Sequence, residues 1–157
     1  MSRIGRAFES DIPALVALNN AFAPAGLTLP RSEDFAYAHL ADYRVIRDAD
    51  GGVIACVALD EYSPTVVEII SLAVRRDEQG LGLGKKLIAA AEALARRRSY
   101  AHIFAVSFSD ELFLACDFSR APLSAYPEKI SRYEKIDRSE LQVGEKHCFT
   151  KALTPAR

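Results

Sequence analysis

The chain has 157 residues, 50% of them hydrophobic and 26% charged, with a formal net charge of -1. That length suits one domain that buries most of its apolar surface without staples, and the make-up is that of an ordinary soluble globular protein. The near-neutral charge argues against nucleic acid as the main partner, and no run approaches about 18 continuous apolar residues, so nothing is expected to span a membrane.

In chain order, residues 4–8 read as a short first strand. Ser10 is placed to cap a helix over residues 11–21, with Pro13 tolerated in its first turn. A loop through residues 23–30 leads to a second helix over 32–41. Strands over 43–47 and 53–59 flank Asp48-Ala49-Asp50-Gly51-Gly52, whose turn residues signal a hairpin. Residues 66–74 are rich in β-branched side chains and read as a strand. Leu83, Leu87, Ala91 and Leu94 recur at helical spacing, so 84–98 reads as an amphipathic helix. A strand over 102–108 and a short helix over 110–116 follow. Residues 121–146 are charged and irregular, with one turn of helix near 129–133, and 147–153 form a last strand. With no repeats, low-complexity segments or linkers, the pattern is one mixed α/β domain.

Three cysteines, Cys56, Cys116 and Cys148, are odd in number and widely spaced. They read as reduced thiols of a cytoplasmic protein. His39, His102 and His147 share no ligand spacing with them, so no metal is expected. The N-terminus lacks an apolar signal core.

Between the strand at 66–74 and the helix that follows lies Gln79-Gly80-Leu81-Gly82-Leu83-Gly84-Lys85-Lys86. Glycines let such a loop turn sharply and admit a ligand close to its backbone. Unpaired N–H groups and the positive end of the helix dipole suit a phosphate or pyrophosphate. A P-loop needs G-x-x-x-x-G-K-[ST], but Gln79 stands at its first position and Lys86 follows Lys85. A dinucleotide fingerprint needs G-x-G-x-x-G, and this chain has G-x-G-x-G. The surrounding charge agrees with an anion. Between Arg75 and Arg98 seven basic residues face three acidic ones, a local excess that suits the polyanionic end of a nucleotide.

A third pattern, Q/R-x-x-G-x-G/A, is met by Gln79, Gly82 and Gly84. Here the chain resembles the GNAT superfamily of N-acetyltransferases, in which this loop binds acetyl-CoA. Glu68 to Val74 reproduce the E-I-x-x-L-A-V strand that family members carry before the loop, and Leu112-Phe113 and Asp117-Phe118 stand where they carry an aromatic pair and a G-F corner. The resemblance implies a GNAT fold: α/β, one domain over 1–157, with a central mixed, mostly antiparallel sheet of six to seven strands flanked by about four helices. It implies an acyltransferase with acetyl-CoA as cosubstrate and a small-molecule amine as acceptor. Gln79, Gly80, Leu81, Gly82, Leu83, Gly84 and Lys85 would form the cofactor loop. The strand at Glu68 would splay from its neighbour, leaving the backbones of Leu72, Ala73 and Val74 to bind the acetyl oxygen and pantetheine, as preorganised donors stabilise an oxyanion.

Acetyl transfer needs a neutral amine, and an α-amino group with a pKa near ~8 is only about one-tenth free base at pH 7. A proton acceptor helps, and Glu68 is the candidate. Strand alternation puts it on one face with Val66, Ile70, Leu72 and Val74, an apolar surface that would desolvate the carboxylate and raise its pKa. Several superfamily members place their catalytic glutamate here. The alternative is a Glu68 turned outward at the strand start or at a bulge. Many relatives protonate the leaving thiolate with a tyrosine where this chain has Phe113. Phe113 cannot donate a proton, so it is expected to pack along pantetheine or in the core. The thiolate, with a pKa near ~8.5, then leaves unassisted, or Tyr126, Tyr133 or a water serves.

The runs Gly26 to Ser32 and Pro127 to Ile130 resemble single-domain amino-acid N-acetyltransferases of the N-acetylglutamate synthase type. That resemblance implies that Arg31 grips an acceptor carboxylate bidentately, with Lys129 or Lys146 on a second one. Otherwise Arg31 merely opens the second helix. The amino-acid kinase-like domain of classical members is absent, and the last strand has no clear R-x-S pair. Two rivals stay open: acetylation of another amine (a protein N-terminus, a polyamine, an antibiotic) and a non-catalytic acetyl-CoA sensor. A homodimer is compatible with the sequence, which does not specify the oligomeric state.

Overall fold

The computed structural model describes residues 3–22, 29–127, 129 and 147–154. The strands are β1 (Arg3–Arg6), β2 (Tyr43–Arg47), β3 (Val53–Ser63), β4 (Val66–Val74), β5 (His102–Ser107), β6 (Ser119–Ala121) and β7 (His147–Ala152). The α-helices are α1 (Ile12–Asn20), α2 (Glu33–Ala38), α3 (Leu83–Arg97) and α4 (Asp110–Ala115). Among the described residues the strands form one sheet in the order β1-β2-β3-β4-β5-β7-β6. Every pairing is antiparallel except β4 with β5.

Helices cover both faces. On one, Leu83, Leu87, Ala91 and Leu94 of α3 pack with Ile46, Ile54, Val67, Ile69 and Phe149. On the other, Ile12 and Leu15 of α1 pack with Tyr43, Val45, Cys56, Ile70 and Ala73. The sheet is thus buried on both sides, which is why β3 and β4 read as nearly continuous apolar runs. The β2–β3 hairpin turns as its residues demand: Asp48 Oδ1 accepts from the amides of Asp50 and Gly52, and Gly51 takes φ +87.

Several boundaries differ from expectation. Ser10 does not cap α1. Residues Glu9–Asp11 make a turn of 3-10 helix, and Asp11 bonds back to the Phe8 amide at 2.7 Å. The second helix ends at Ala38, with a separate 3-10 turn at Leu40–Asp42. Ser119–Ala121 forms an edge strand where the sequence predicts none. Three residues paired to β7 carry too little pattern to stand out.

The largest correction concerns β4. Ala58 pairs with Ile70 and Cys56 with Ala73, so β4 holds one residue more than β3 across this stretch. Ser71 takes φ +53, and Cys56 Sγ donates to its carbonyl at 3.3 Å. This is a β-bulge, which shifts the alternation by one. Glu68 therefore shares its face with Ile70 and Ala73, on the α1 side, while Leu72 and Val74 turn toward α3.

Candidate active site

The β4–β5 ladder has three rungs, Val66↔His102, Val67↔Ile103 and Glu68↔Phe104. Beyond them β5 stays paired to β7 as far as Ser107, while β4 continues alone on that edge to Val74. The strands part as a V with Glu68 at its apex. A cleft of about 320 Å³ fills the gap. Its walls are Ile69 to Val74 on one side and Ala105 to Ser109 on the other, closed by Gln79, Gly84, Leu112 and Phe113. Phe22, Leu29, Arg31 and Lys129 border it as well.

Glu68 is 2% exposed, but its surroundings are not simply apolar as its strand neighbours suggest. Lys129 Nζ lies 2.9 Å from Oε2 and 3.1 Å from Oε1, and the Tyr62 hydroxyl donates to Oε1 at 3.0 Å. Lys129 is itself 5% exposed, so the pair is sealed against protein on most sides. Its ammonium faces the Glu68 carboxylate. Cys148 lies near the same pair, and burial pushes its thiol up to about 11.

Arg31 reaches the cleft from the start of α2. Its backbone amide donates to Asn20 Oδ1 at 2.8 Å and its carbonyl accepts from Asn20 Nδ2 at 2.9 Å. Its guanidinium lies 4.3 Å from the centre of the Phe35 ring. Burial pulls the guanidinium below the ordinary arginine value, while Glu68, Tyr43, Asp60 and Tyr62 pull it back. Nε is buried without a hydrogen-bond partner among the described residues.

The glycine loop adopts the shape its residues favour. Gly80 and Gly82 take φ +82 and +80, and Gly82 caps α3. A Cβ at either would meet only open space, so the loop leaves room above its backbone. The first-turn N–H groups of α3 have no carbonyl of their own helix to bond. Gln79 donates through Nε2 to the Val74 carbonyl at 3.1 Å, tying the loop to the end of β4. Gly84 sits against α4, since a Cβ there would come within 3.1 Å of Leu112 Cδ2. Leu83 is a core residue, whereas Leu81 and Lys85 are exposed. These features fit a pyrophosphate held at the turn and an extended thioester arm running along the unpaired edge of β4.

Phe113 is 1% exposed and packs at 5.3 Å on Phe149 and edge-on at 5.2 Å to Phe118. It forms the floor of the cleft and belongs to the core. Tyr126 stacks on Phe104 at 3.8 Å, with its hydroxyl 2.6 Å from Thr150 Oγ1, and is not among the cleft walls. Gly26 to Thr28, Tyr133 and Lys146 lie outside the described residues.

A profile of the acetyltransferase (GNAT) family matches residues 13–118. The chain belongs to that family. This GNAT chain is 28% identical over 123 residues to an uncharacterized N-acetyltransferase of Chlorobaculum tepidum, covering 78% of this chain and 79% of the relative. It is 30% identical over 127 residues to the amino-acid acetyltransferase of Neisseria meningitidis, covering 80% of this chain and 29% of the relative. Its structure superposes at a TM-score of 0.83 and 26% identity on the N-acetylglutamate synthase of Neisseria gonorrhoeae complexed with coenzyme A and N-acetyl-glutamate, covering 98% of this chain and 35% of that one. The chain therefore spans about a third of the length of these last two proteins. Acetyl-CoA-dependent N-acetyltransferase activity is the chemistry of that family.

Two contributors are missing from the sequence reading. Asn20, which holds Arg31, and Tyr62, which bonds Glu68, act across the fold and follow no local motif. The Asn19-Asn20 pair ending a helix was the one available hint. No helix of the described residues is long and apolar enough to cross a membrane.

Proposed function

We propose that this chain acetylates the α-amino group of a free amino acid, with Arg31 gripping the acceptor's carboxylate and Glu68 accepting the amine's proton. The observation that carries this is the state of Arg31. Its backbone is clamped, its guanidinium rests on Phe35, and its buried Nε, at the edge of the cleft, has no hydrogen-bond partner among the described residues. A buried donor without a partner costs about 1–3 kcal/mol, and an acceptor carboxylate would supply the missing bond in a planar, bidentate geometry.

In this reading acetyl-CoA lies with its pyrophosphate over Gly80 to Gly84 and its thioester in the V beside Leu72 to Val74. Main-chain donors at the unpaired β4 edge face the thioester oxygen. Glu68, at the apex, takes the proton as the amine attacks, and Lys129 and Tyr62 hold its carboxylate in place. Phe113 donates no proton to the thiolate, whose ordinary pKa of about 8.5 allows it to leave without a protein acid.

The names of the Neisseria relatives make glutamate the first acceptor to try. With Lys129 matched to Glu68, Arg31 is the cation left for the acceptor among the described cleft residues. Among the described residues it is Arg31 that would recognise a carboxylate of the acceptor. A thiol-release screen of free amino acids, polyamines and peptides with acetyl-CoA tests the proposal. Turnover confined to polyamines or peptides would overturn it.

A further inference from the structure

Lys129 offers a primary amine within hydrogen-bond reach of the carboxylate that is to deprotonate an acceptor amine. Its Nζ stands 2.9 Å from Glu68 Oε2, and Lys129 and Glu68 line the same cleft as Leu72 and Val74. Of the lysines at hand, Lys85 and Lys86 are exposed on the outer turn of α3, and Lys151 is bonded to Glu92 and the Cys116 carbonyl. Lys129 alone among the described lysines borders the cleft. A donor-site amine held against a proton acceptor is the arrangement an acceptor substrate has to reproduce.

We propose that Lys129 is itself an acetyl acceptor, so that the chain modifies its own cleft with acetyl-CoA when no amino acid occupies it. The inference rests on the thioester position and the Glu68 role given above. In the step, the Nζ lone pair attacks the thioester carbonyl carbon. One ammonium proton first passes to Glu68 and on to solvent, which frees that lone pair; as the C–N bond forms and the C–S bond breaks, a second proton leaves the nitrogen by the same route and coenzyme A departs as the thiolate. The product is a neutral amide.

The consequence is a changed cleft. Acetylation removes the cation that balances Glu68, and a buried carboxylate stripped of its partner is strongly disfavoured. The added acetyl group also stands where the acceptor amine should enter. Lys129 acetylation therefore switches the site off, and a bound acceptor protects against it by occupying the space beside Glu68.

The test is peptide mass spectrometry of the purified chain held with acetyl-CoA, with and without excess of the amino acid that the thiol-release screen selects, or glutamate if none is selected. The expected result is one acetyl group on Lys129. Acetylation should be slowed at least tenfold in Glu68→Gln, absent from that position in Lys129→Arg, suppressed by the acceptor, and lost from the heat-unfolded chain. Activity should fall in step with the acetylated fraction. Unmodified Lys129 in a chain that turns over an amino acid overturns this inference and leaves the proposed function standing. Labelling spread evenly over Lys85, Lys86, Lys129 and Lys151 overturns it as well, as does full turnover by chain fully acetylated at Lys129. Acetylated Lys129 without turnover of any amino acid supports the inference and rejects the amino-acid reading.

Discussion

Asn20 holds Arg31 by both edges of its peptide, accepting from the amide at 2.8 Å and donating to the carbonyl at 2.9 Å. The last residue of α1 thus sets the entry of the chain into α2 and the place of the guanidinium at the cleft. Asn20→Ala removes both bonds without touching the cofactor loop. The loss of about 1.4 kcal/mol should raise the KM for the acceptor about tenfold. Arg31→Lys keeps the charge but loses the planar fork, and should raise that KM further. Steady-state kinetics check both, and the KM for acetyl-CoA should stay within twofold. Equal rises in the two KM values would remove Arg31 from acceptor recognition.

Glu68→Gln keeps the shape of the side chain and the Tyr62 contact but accepts no proton. Turnover should fall on the order of 100-fold at pH 7, as for loss of a general base. The deficit should shrink toward pH 9, because an α-amino group with a pKa near ~8 is by then mostly neutral by itself. Acetyl-CoA affinity, read by calorimetry, should be unchanged. A pH–rate profile parallel to that of the native chain would rule Glu68 out as the proton acceptor.

Gly82→Val tests the loop. At φ +80 a β-branched side chain is strained by about 1–2 kcal/mol, yet its Cβ meets open space. The domain should still fold, with its melting point lowered by a few degrees, and acetyl-CoA binding should be lost. Retained affinity would show that the turn does not hold the nucleotide.

Asp117 stands in the left-handed region at φ +66. An aspartate tolerates that conformation, but glycine adopts it without strain. Asp117→Gly should stabilise the chain by about 0.5–1 kcal/mol, which is roughly 1–4 °C at this size. Thermal unfolding measures it, and a lower melting point would contradict the strain.

The pair Asp11–Arg47 anchors α1 to β2, with Nη1 to Oδ1 at 2.7 Å and Nη2 to Oδ2 at 2.6 Å. The Arg47 bonds hold the Asp11 carboxyl below its usual range against the opposing effect of burial. A depressed carboxyl binds fewer protons folded than unfolded, so its stabilisation is complete above the ordinary value of about 3.9 and fades as the pH falls through the lower folded value. Asp11→Asn should melt below the native chain at pH 7, and the gap should close as the pH falls below about 4. A gap independent of pH would mean that packing, not charge, carries the effect.

How much of this was legible in the sequence varies with the range of the interaction. Gly80 and Gly82 announce left-handed turns because few other residues go there, and the spacing of Leu83, Leu87, Ala91 and Leu94 declares the buried side of α3. The bulge at Ser71 was hidden, since no glycine or proline marks it and it arises from how β3 pairs with β4. That single extra residue overturned the face assigned to Leu72 and Val74. The Glu68–Lys129 pair spans 61 residues, and a separation of that length leaves no periodic trace. Arg31 was legible as a charge near a helix start, but not the Asn20 clamp that aims it.

The three-rung ladder between β4 and β5 has one last consequence. Where it stops, main-chain groups of two neighbouring strands are left facing a gap, and an elongated guest lying there takes the place of the missing rungs. Substrate entry is then also a repair of the sheet, so the loaded protein should melt later and exchange the amides of residues 69–74 more slowly than the empty one.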